Sequence, residues 1–271
     1  MINRTICAAR SAWYGVSEPV KLRNARWQHG DNVDGVWNRG DPLVSVIIPT
    51  HNRAKILRDR ALASIKKQTY RNLEIIIAAH GCTDDTVREL LDYEISVTLR
   101  GKCLIVPRKP KYPPTAENHW FAGPVDPINA GLKWASGKWI ARIDDDDTWT
   151  PDHIEKLLRF AQGGNYEFVS SAYAANGKPV EHDGYEPPIG GVQTWLARSY
   201  LKLFRANPDC WRRRIHRVND TELAHRYRMA GVRTGWTPAV TAKIEPRPGE
   251  TVIGLKAYQQ NRAETERKYA F

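Results

Sequence analysis

No run in the 271-residue chain approaches the ~18 consecutive apolar residues of a membrane-crossing helix, which excludes a helical span within it. The opening segment scatters basic residues through its length and has no apolar block, so it does not read as a secretory leader. Cysteine is scarce. Cys7, Cys82, Cys103 and Cys210 stand far apart, match no metal or redox spacing, and suit a reducing cytosol. Neither GxxxxGKS/T nor GxGxxG occurs, so there is no P-loop and no dinucleotide fingerprint. Acid is also in deficit: 30 Asp and Glu face 41 Lys and Arg, a formal net charge of +11. That excess suits an anionic partner such as a nucleotide diphosphate, a nucleic acid or a lipid phosphate, and equally a merely soluble basic surface.

Hydrophobic content of 41% and charged content of 26% exclude disorder throughout. The length fits one large α/β domain or one domain with appendages. Ten tryptophans exceed what the size predicts. Core burial accounts for most, although aromatic faces also stack on sugars and bases.

Residues 1–42 are polar, with isolated aromatics (Trp13, Tyr14, Trp27, Trp37), and read as an irregular arm ending at Pro42. Beyond it the pattern alternates. Leu43–Pro49 is a continuous, β-branched apolar run, as expected of a strand buried on both faces. Ala54–Lys67 has helical spacing, Leu73–Ala79 is a second buried strand, and Thr83 and Asp84 can cap a helix running to about Tyr93. Lys102–Val106 reads as strand, Pro107–Pro127 as a proline-rich loop, Asn129–Ala135 as helix, Trp139–Ile143 as strand and Pro151–Phe160 as helix. Alternation with short connections predicts an α/β fold, a parallel sheet covered by helices on both faces. Ligands bind such sheets at the carboxyl ends of the strands, here Thr50–Arg53, Ala79–Asp85 and Asp144–Asp147.

Four consecutive aspartates, Asp144–Asp147, end the strand WIARI. A like-charged pair ~4 Å apart costs about 4 kcal/mol at an effective dielectric near 20. A divalent cation removes that repulsion, and hard oxygen ligands favour Mn²⁺ or Mg²⁺. The competing reading is a solvated acidic turn in which Asp147 caps the next helix. Asp84 and Asp85 read as ordinary capping chemistry, whereas His80 sits where its strand delivers a side chain to the ligand edge, as a binding group or a structural histidine. The small polar loop Pro49, Thr50, His51, Asn52 can grip a base or ribose.

The blocks PLVSVIIPTHNR, NLEIIIAAHGCTDDT and NAGLKWASGKWIARIDDDDTWTPDHIEKL, in this order and spacing, resemble the signatures of family 2 glycosyltransferases over Pro42–Leu158. The resemblance implies a GT-A fold, Rossmann-like with a mostly parallel central sheet flanked by helices, and a less regular acceptor-side C-terminal part. It implies a nucleotide-diphosphate sugar donor held by Pro49, Thr50, His51, Asn52, His80, Asn129, Asp144 and Asp145, with the metal on Asp146 of a DXD-type motif. Two departures stand out. His80 follows Ala79 where the family commonly has an aspartate, and a neutral imidazole can accept the same hydrogen bond from a base. Ile128 precedes Asn129 where the family often has an arginine.

The expected division is an arm (1–42), a donor-binding half (43–160) and an acceptor-binding half with a C-terminal helix (161–271). In the last, Asn219-Asp220-Thr221-Glu222 resembles the family segment whose acid opens a helix beside the sugar. An aspartate is ionised at neutral pH and available as a base, which makes Asp220 the catalytic candidate, with Glu222 as fallback and a plain helix cap as the alternative for Asp220. Trp195 reads as an acceptor-stacking ring or as core. Arg212 and Arg213, in the basic cluster 211–217, read as acceptor or phosphate contacts or as a solvated face. His182 reads as a surface residue, and the tail, Val252–Phe271, as a polar helix without a membrane-anchoring face. The expected activity is metal-dependent inverting transfer to a glycan or lipid-linked glycan, in the cytoplasm or peripherally at a membrane. Alternatives are transfer to a hydroxylated base in DNA, retaining transfer on the same fold, and a non-catalytic nucleotide or nucleic-acid binding module.

Overall fold

In the computed structural model, which describes residues 2–29, 40–88, 100–106, 112–180, 188–212 and 217–268, the apolar runs become the centre of one mixed sheet. Strands β1 (Val44–Thr50), β2 (Leu73–His80), β3 (Gly101–Val106) and β4 (Trp139–Arg142) pair in parallel in the order β3-β2-β1-β4. Every residue of β1 and β2 is buried, which is why their sequences run apolar without alternating. Side chains still alternate between the faces. Val44, Val46 and Ile48 pack with Leu57, Leu62 and Ile65, whereas Ile47 and Ile76 pack with Ile128 and Leu132. The first set of helical partners comes from α2 (Ala54–Leu57), a π-helical turn (Arg58–Leu62) and α3 (Ala63–Lys66). The second comes from α5 (Val125–Trp134), which follows α4 (Ala116–Ala122).

Past β4 the sheet changes character. It continues through β8 (Leu196–Arg198), β6 (Phe168–Ala175), β9 (Thr234–Ile244) and the short β5 (Thr148–Trp149), with β7 (Lys178–Val180) hairpinned onto β6. Strand β8 runs antiparallel to both neighbours, and β9 runs parallel to β6. The described helices here are α6 (His153–Gly163), α7 (Asn219–Ala230), α8 (Leu255–Gln260) and α9 (Arg262–Lys268). The expected C-terminal helix is therefore two short ones, broken at Asn261.

Two local expectations are corrected. The proline-rich stretch 107–127 is not loop throughout. Thr115 caps α4 by accepting the Asn118 N–H, and α5 begins at Val125, with proline at its third position where a missing N–H costs little. The supposed irregular arm is α1, a helix of 27 residues (Ile2–Gln28). Pro19 inside it disguises the period, since interior proline disfavours a helix by about 3 kcal/mol. Tertiary contacts offset that cost. Leu22 and Ala25 join the core of the C-terminal half, Glu18 pairs with Arg226, and Arg26 grips Glu167 through two bonds of 2.7 and 2.5 Å. The helix predicted to run to about Tyr93 is described only as far as residue 88, and His182 and Arg213 lie outside the described residues.

One buried carboxylate ties the parallel half together. Glu74 on β2 accepts from Ser45, from the Ser136 N–H (2.6 Å) and hydroxyl (2.8 Å), from the Gly137 N–H (3.0 Å) and from Lys102 (2.9 Å). Gly137 is required there, because a Cβ would sit 2.6 Å from the Leu43 carbonyl oxygen. Burial alone pushes the Glu74 pKa up, but the donors outweigh it and hold it at about 2, below the ordinary 4.5. The sign follows: this stabilisation is full above pH 4.5 and is lost as pH falls from there through about 2. Glu74→Ala is expected to lower unfolding free energy by about 3 kcal/mol at neutral pH in urea titrations, because several buried donors lose their acceptor. The deficit narrows in acid.

Candidate active site

The loops that follow β1, β2 and β4 meet at the carboxyl edge of the sheet, as the parallel topology dictates. Pro49, Thr50, His51, Arg53, His80, Asp144, Asp145 and Asp146 line one cleft there, closed by His119 of α4, the Gly123–Pro124 corner, Pro127 and Tyr258 of α8. Thr50 Oγ1 donates to Asp145 Oδ2 at 2.7 Å, and His51 Nδ1 donates to the His80 carbonyl oxygen at 2.6 Å. Three strand ends are thus tied across the cleft floor. Asn52, at φ 51°, spends its side chain elsewhere. Its carbonyl accepts the Thr83 N–H (2.8 Å) and its amide donates to the Thr83 hydroxyl (3.0 Å), fastening the β1 loop to the β2 loop. It lines the neighbouring depression rather than this cleft.

The acidic run is not the solvated turn of the competing reading, and arginines share in balancing its charge. A solvated turn is ruled out, because Asp145 and Asp147 are buried and Asp152, not Asp147, occupies the cap position of α6. Among the described residues no three His, Cys, Asp or Glu side chains converge on one point, so a cation held by Asp146 would draw few ligands from the protein. Arg53 lies 2.9 Å from Asp145 and 3.5 Å from Asp146, Arg247 lies 3.5 Å from Asp146, and Arg142 lies 3.7 Å from Asp144. Arg60 binds the Asp146 carbonyl (2.9 Å) and the carbonyls of Glu245 and Pro246, anchoring the segment that carries Arg247.

Compensation is incomplete at Asp144. Its Oδ1 is buried and has no hydrogen-bond partner. Desolvation, partly countered by Arg142 and reinforced by Asp146, Asp145 and Asp220, pushes its pKa up to about 6. Burial first, then Asp146, Asp144 and Asp145, push the Asp147 carboxyl well above its ordinary value, with Arg60 opposing. An under-coordinated, charge-frustrated carboxylate oxygen beside Asp146 is the donor chemistry a hard divalent cation satisfies, so the residues fit Mn²⁺ or Mg²⁺. A raised carboxylate pKa also destabilises the ligand-free fold at neutral pH, because the folded state holds the proton more tightly than the unfolded one. Asp144→Asn is therefore expected to raise stability at pH 7.5, as read by thermal melting. About a third of the Asp144 side chain stays open to the cleft, so solvent screening limits the gain to about 1 kcal/mol. The gain shrinks as pH falls from 6 toward 4.

A second cavity shares Asp144, Asp146 and Tyr258 with the first and adds Asp147, Gly191, Gln193, Thr221 and Asp220. Asp220 is the second residue of α7 and accepts the Thr221 N–H at 2.8 Å, while Val218 holds the cap position without a side-chain bond. Asp220 thus sits two positions past the cap, its carboxylate bonding a first-turn N–H and lining the second cavity. Glu222 is corrected: it is buried in an ion pair with Arg226 (3.0 Å) and accepts from Asn207 (3.2 Å), so it cannot serve as a base.

Three further expected contacts are corrected. Trp195 is 7% exposed, packs edge-on against Phe168 and donates to the Gly190 carbonyl, so it belongs to the core. Asn129 exchanges two hydrogen bonds of 2.9 Å with the Ala206 backbone, tying α5 to the C-terminal half instead of lining the cleft. Arg212 stacks over Trp211 and pairs with Asp209 (3.2 Å), outside both cavities. Ile128, in place of the expected arginine, is buried against Ile47 and Ile76.

Sequence reasoning missed His119, Arg247 and Tyr258. His119 is partly buried beside Arg53, His51, His80 and Arg247, and desolvation first, then those charges, hold its pKa well below the ordinary value, so it is neutral. Arg247 stacks on Tyr258 (4.8 Å) and pairs with Glu250 (2.7 Å). No local pattern marks these residues. His119 comes from a stretch read as loop, Tyr258 from the polar tail, and Arg247 from the segment that links β9 to that tail.

A family model described as "Glycosyl transferase family 2" matches residues 45–216. An uncharacterized glycosyltransferase of Haemophilus influenzae is 35% identical over 132 residues, which is 49% of this chain and 36% of that protein. The UDP-Glc:alpha-D-GlcNAc-diphosphoundecaprenol beta-1,3-glucosyltransferase WfgD of Escherichia coli is 29% identical over 133 residues, 49% of this chain and 46% of that one. The matched region spans less than half the length of these curated relatives. Among solved structures, S. aureus TarS 1-349 in complex with UDP-GlcNAc superimposes with a TM-score of 0.60 at 18% identity, covering 79% of this chain and 60% of that one. The mannosyltransferase PcManGT from Pyrobaculum calidifontis, in complex with GDP-Man and Mn²⁺, gives 0.58 at 18% identity, covering 89% and 69%. With the sheet order, the acidic strand end and the family match over most of the chain in agreement, this protein belongs to the family 2 glycosyltransferases and has their GT-A fold.

Proposed function

We propose that the chain transfers a sugar from a nucleoside-diphosphate donor to an acceptor hydroxyl with inversion at the anomeric carbon. The observation that carries this reading is the placement of Asp144 and Asp146 on the lining common to two cavities, with Asp220 lining the second. The first cavity suits the nucleoside. Thr50, His51 and His80 offer main-chain and imidazole groups to base and ribose, and His80 stands in place of an acid, so the donor base meets an imidazole there. Arg53 and Arg247 suit the diphosphate, taking over the charge that the arginine absent at Ile128 would supply. Asp146, with Asp144 beside it, would hold Mn²⁺ or Mg²⁺, which supplies Lewis-acid stabilisation of charge on a departing diphosphate.

Asp220 accepts the acceptor proton while the acceptor oxygen bonds to the anomeric carbon and the sugar–phosphate bond breaks. The Mn²⁺ in the mannosyltransferase complex and the diphosphoundecaprenol-linked substrate of the Escherichia coli relative support a metal and a lipid-linked glycan acceptor. The test is a thermal-shift panel of nucleoside-diphosphate sugars with and without Mn²⁺, followed by NMR of the product anomer. One donor at ~100 times its Kd is expected to stabilise the fold by about 2.7 kcal/mol, and only with metal. No shift with any donor, or a product of retained configuration, overturns the reading.

A further inference from the structure

Helix α1 has two apolar faces, and only one is used. Leu22 and Ala25 point into the core, with Tyr14, Ser17 and Glu18 on the same side. On the opposite side Ala9, Trp13, Val16, Val20 and Trp27 recur at spacings of four, three, four and seven, one continuous stripe of a helix. Three of the large ones stand mostly in solvent and Val20 stands nearly half in it. Trp13 is 62% exposed, Val16 70%, Val20 47% and Trp27 78%. They make up four of the seven large hydrophobic residues that stand exposed among the described residues. Two tryptophans fourteen positions apart on one helix are separated by about 21 Å, so the stripe is long as well as apolar.

Charge decides between occupants. From residue 9 to residue 29 the only acid is Glu18, buried against Arg226. Arg10 and Arg26 pair with Asp209 and Glu167 beneath the helix, while Arg23 borders the stripe and Lys21, about a third of a turn around from it, is exposed as well. A second copy of the chain would bring these cations against their own equals on a protein already at +11. A nucleic acid offers phosphates but no apolar layer for valine and tryptophan. An anionic bilayer offers both: lipid phosphates for Lys21 and Arg23, and an acyl boundary for the stripe with indole rings at headgroup depth.

We propose that the outer face of α1 lies on the surface of an anionic lipid bilayer, Trp13, Val16, Val20 and Trp27 inserted at the headgroup boundary and Lys21 and Arg23 on lipid phosphates. The inference stands on exposure and charge at α1 and does not need the transfer reading, since no residue of the stripe lines either cavity.

Flotation with vesicles of phosphatidylglycerol and phosphatidylcholine in equal parts tests it, against vesicles of phosphatidylcholine alone. The protein is expected to float with the anionic vesicles only, and to be released in about 0.5 M salt, where the Debye length is below ~5 Å. W13S/W27S is expected to cut the partition coefficient at least about tenfold with an unchanged melting temperature. K21E/R23E is expected to cut it about fivefold for each cation removed. Should W13S/W27S melt early, V16S/V20S carries the same comparison. Binding to neither vesicle, or undiminished binding by the serine variants, overturns the proposal. So does light scattering that shows a dimer which W13S/W27S dissolves, for the stripe would then belong to a second copy.

Discussion

Asp146→Ala is expected to lower kcat/KM for transfer about a thousandfold or more, equivalent to about 4 kcal/mol of transition-state stabilisation. Asp146 lines both cavities, and its Oδ2 is shared by Arg53 and Arg247, each at 3.5 Å. Those arginines lie longer from Asp146 than a direct charge-assisted bond, so they balance its charge without saturating it. Alanine there removes the group proposed to hold the metal and leaves both arginines facing the diphosphate. The variant is therefore expected to keep nucleotide-dependent thermal stabilisation and to lose the added effect of Mn²⁺. Asp152→Ala is the control, since Asp152 is a carboxylate paired with Lys156 (2.6 Å) at the start of α6 and lines neither cavity. Near-normal turnover in the Asp146 variant would sink the metal assignment.

The second large effect is at Asp220. Asp220→Asn is expected to reduce kcat by about two to four orders of magnitude, the usual contribution of a positioned general base, with donor Kd unchanged. Asparagine keeps an oxygen for the Thr221 N–H, so the start of α7 survives and lost activity reports the lost base. Isothermal titration with the donor, beside turnover with the acceptor, separates the two quantities. Turnover within a few-fold of the unaltered enzyme would move the base elsewhere. Glu222 would not be the replacement, because its carboxylate is consumed by Arg226 and Asn207.

Much of the donor half was legible before any coordinates. Strands β1, β2 and β4 are short, continuous apolar runs because both faces of a parallel sheet are covered, and such runs are read locally. The edge where Thr50, His51, His80 and Asp144–Asp146 gather follows from strand polarity alone. Where the reading failed, the deciding partner was remote. Helix α1 looked irregular because Pro19 interrupts it and its inward face is completed by Arg226 and Glu167, 208 and 141 positions away. Trp195 became core because Phe168 and the Gly190 carbonyl claim it.

The sequence by itself determined the fold class, the polarity of the sheet and the identity of the acids at its edge, since these depend on residue type and short-range period. Only the tertiary structure decided what those acids meet. Arg53, Arg142 and Arg247 reach them from three separate segments, none of which the sequence reading pairs with the aspartates. Charge compensation acts through space over a few ångströms, and no property of a linear sequence reports which distant arginine arrives within that distance.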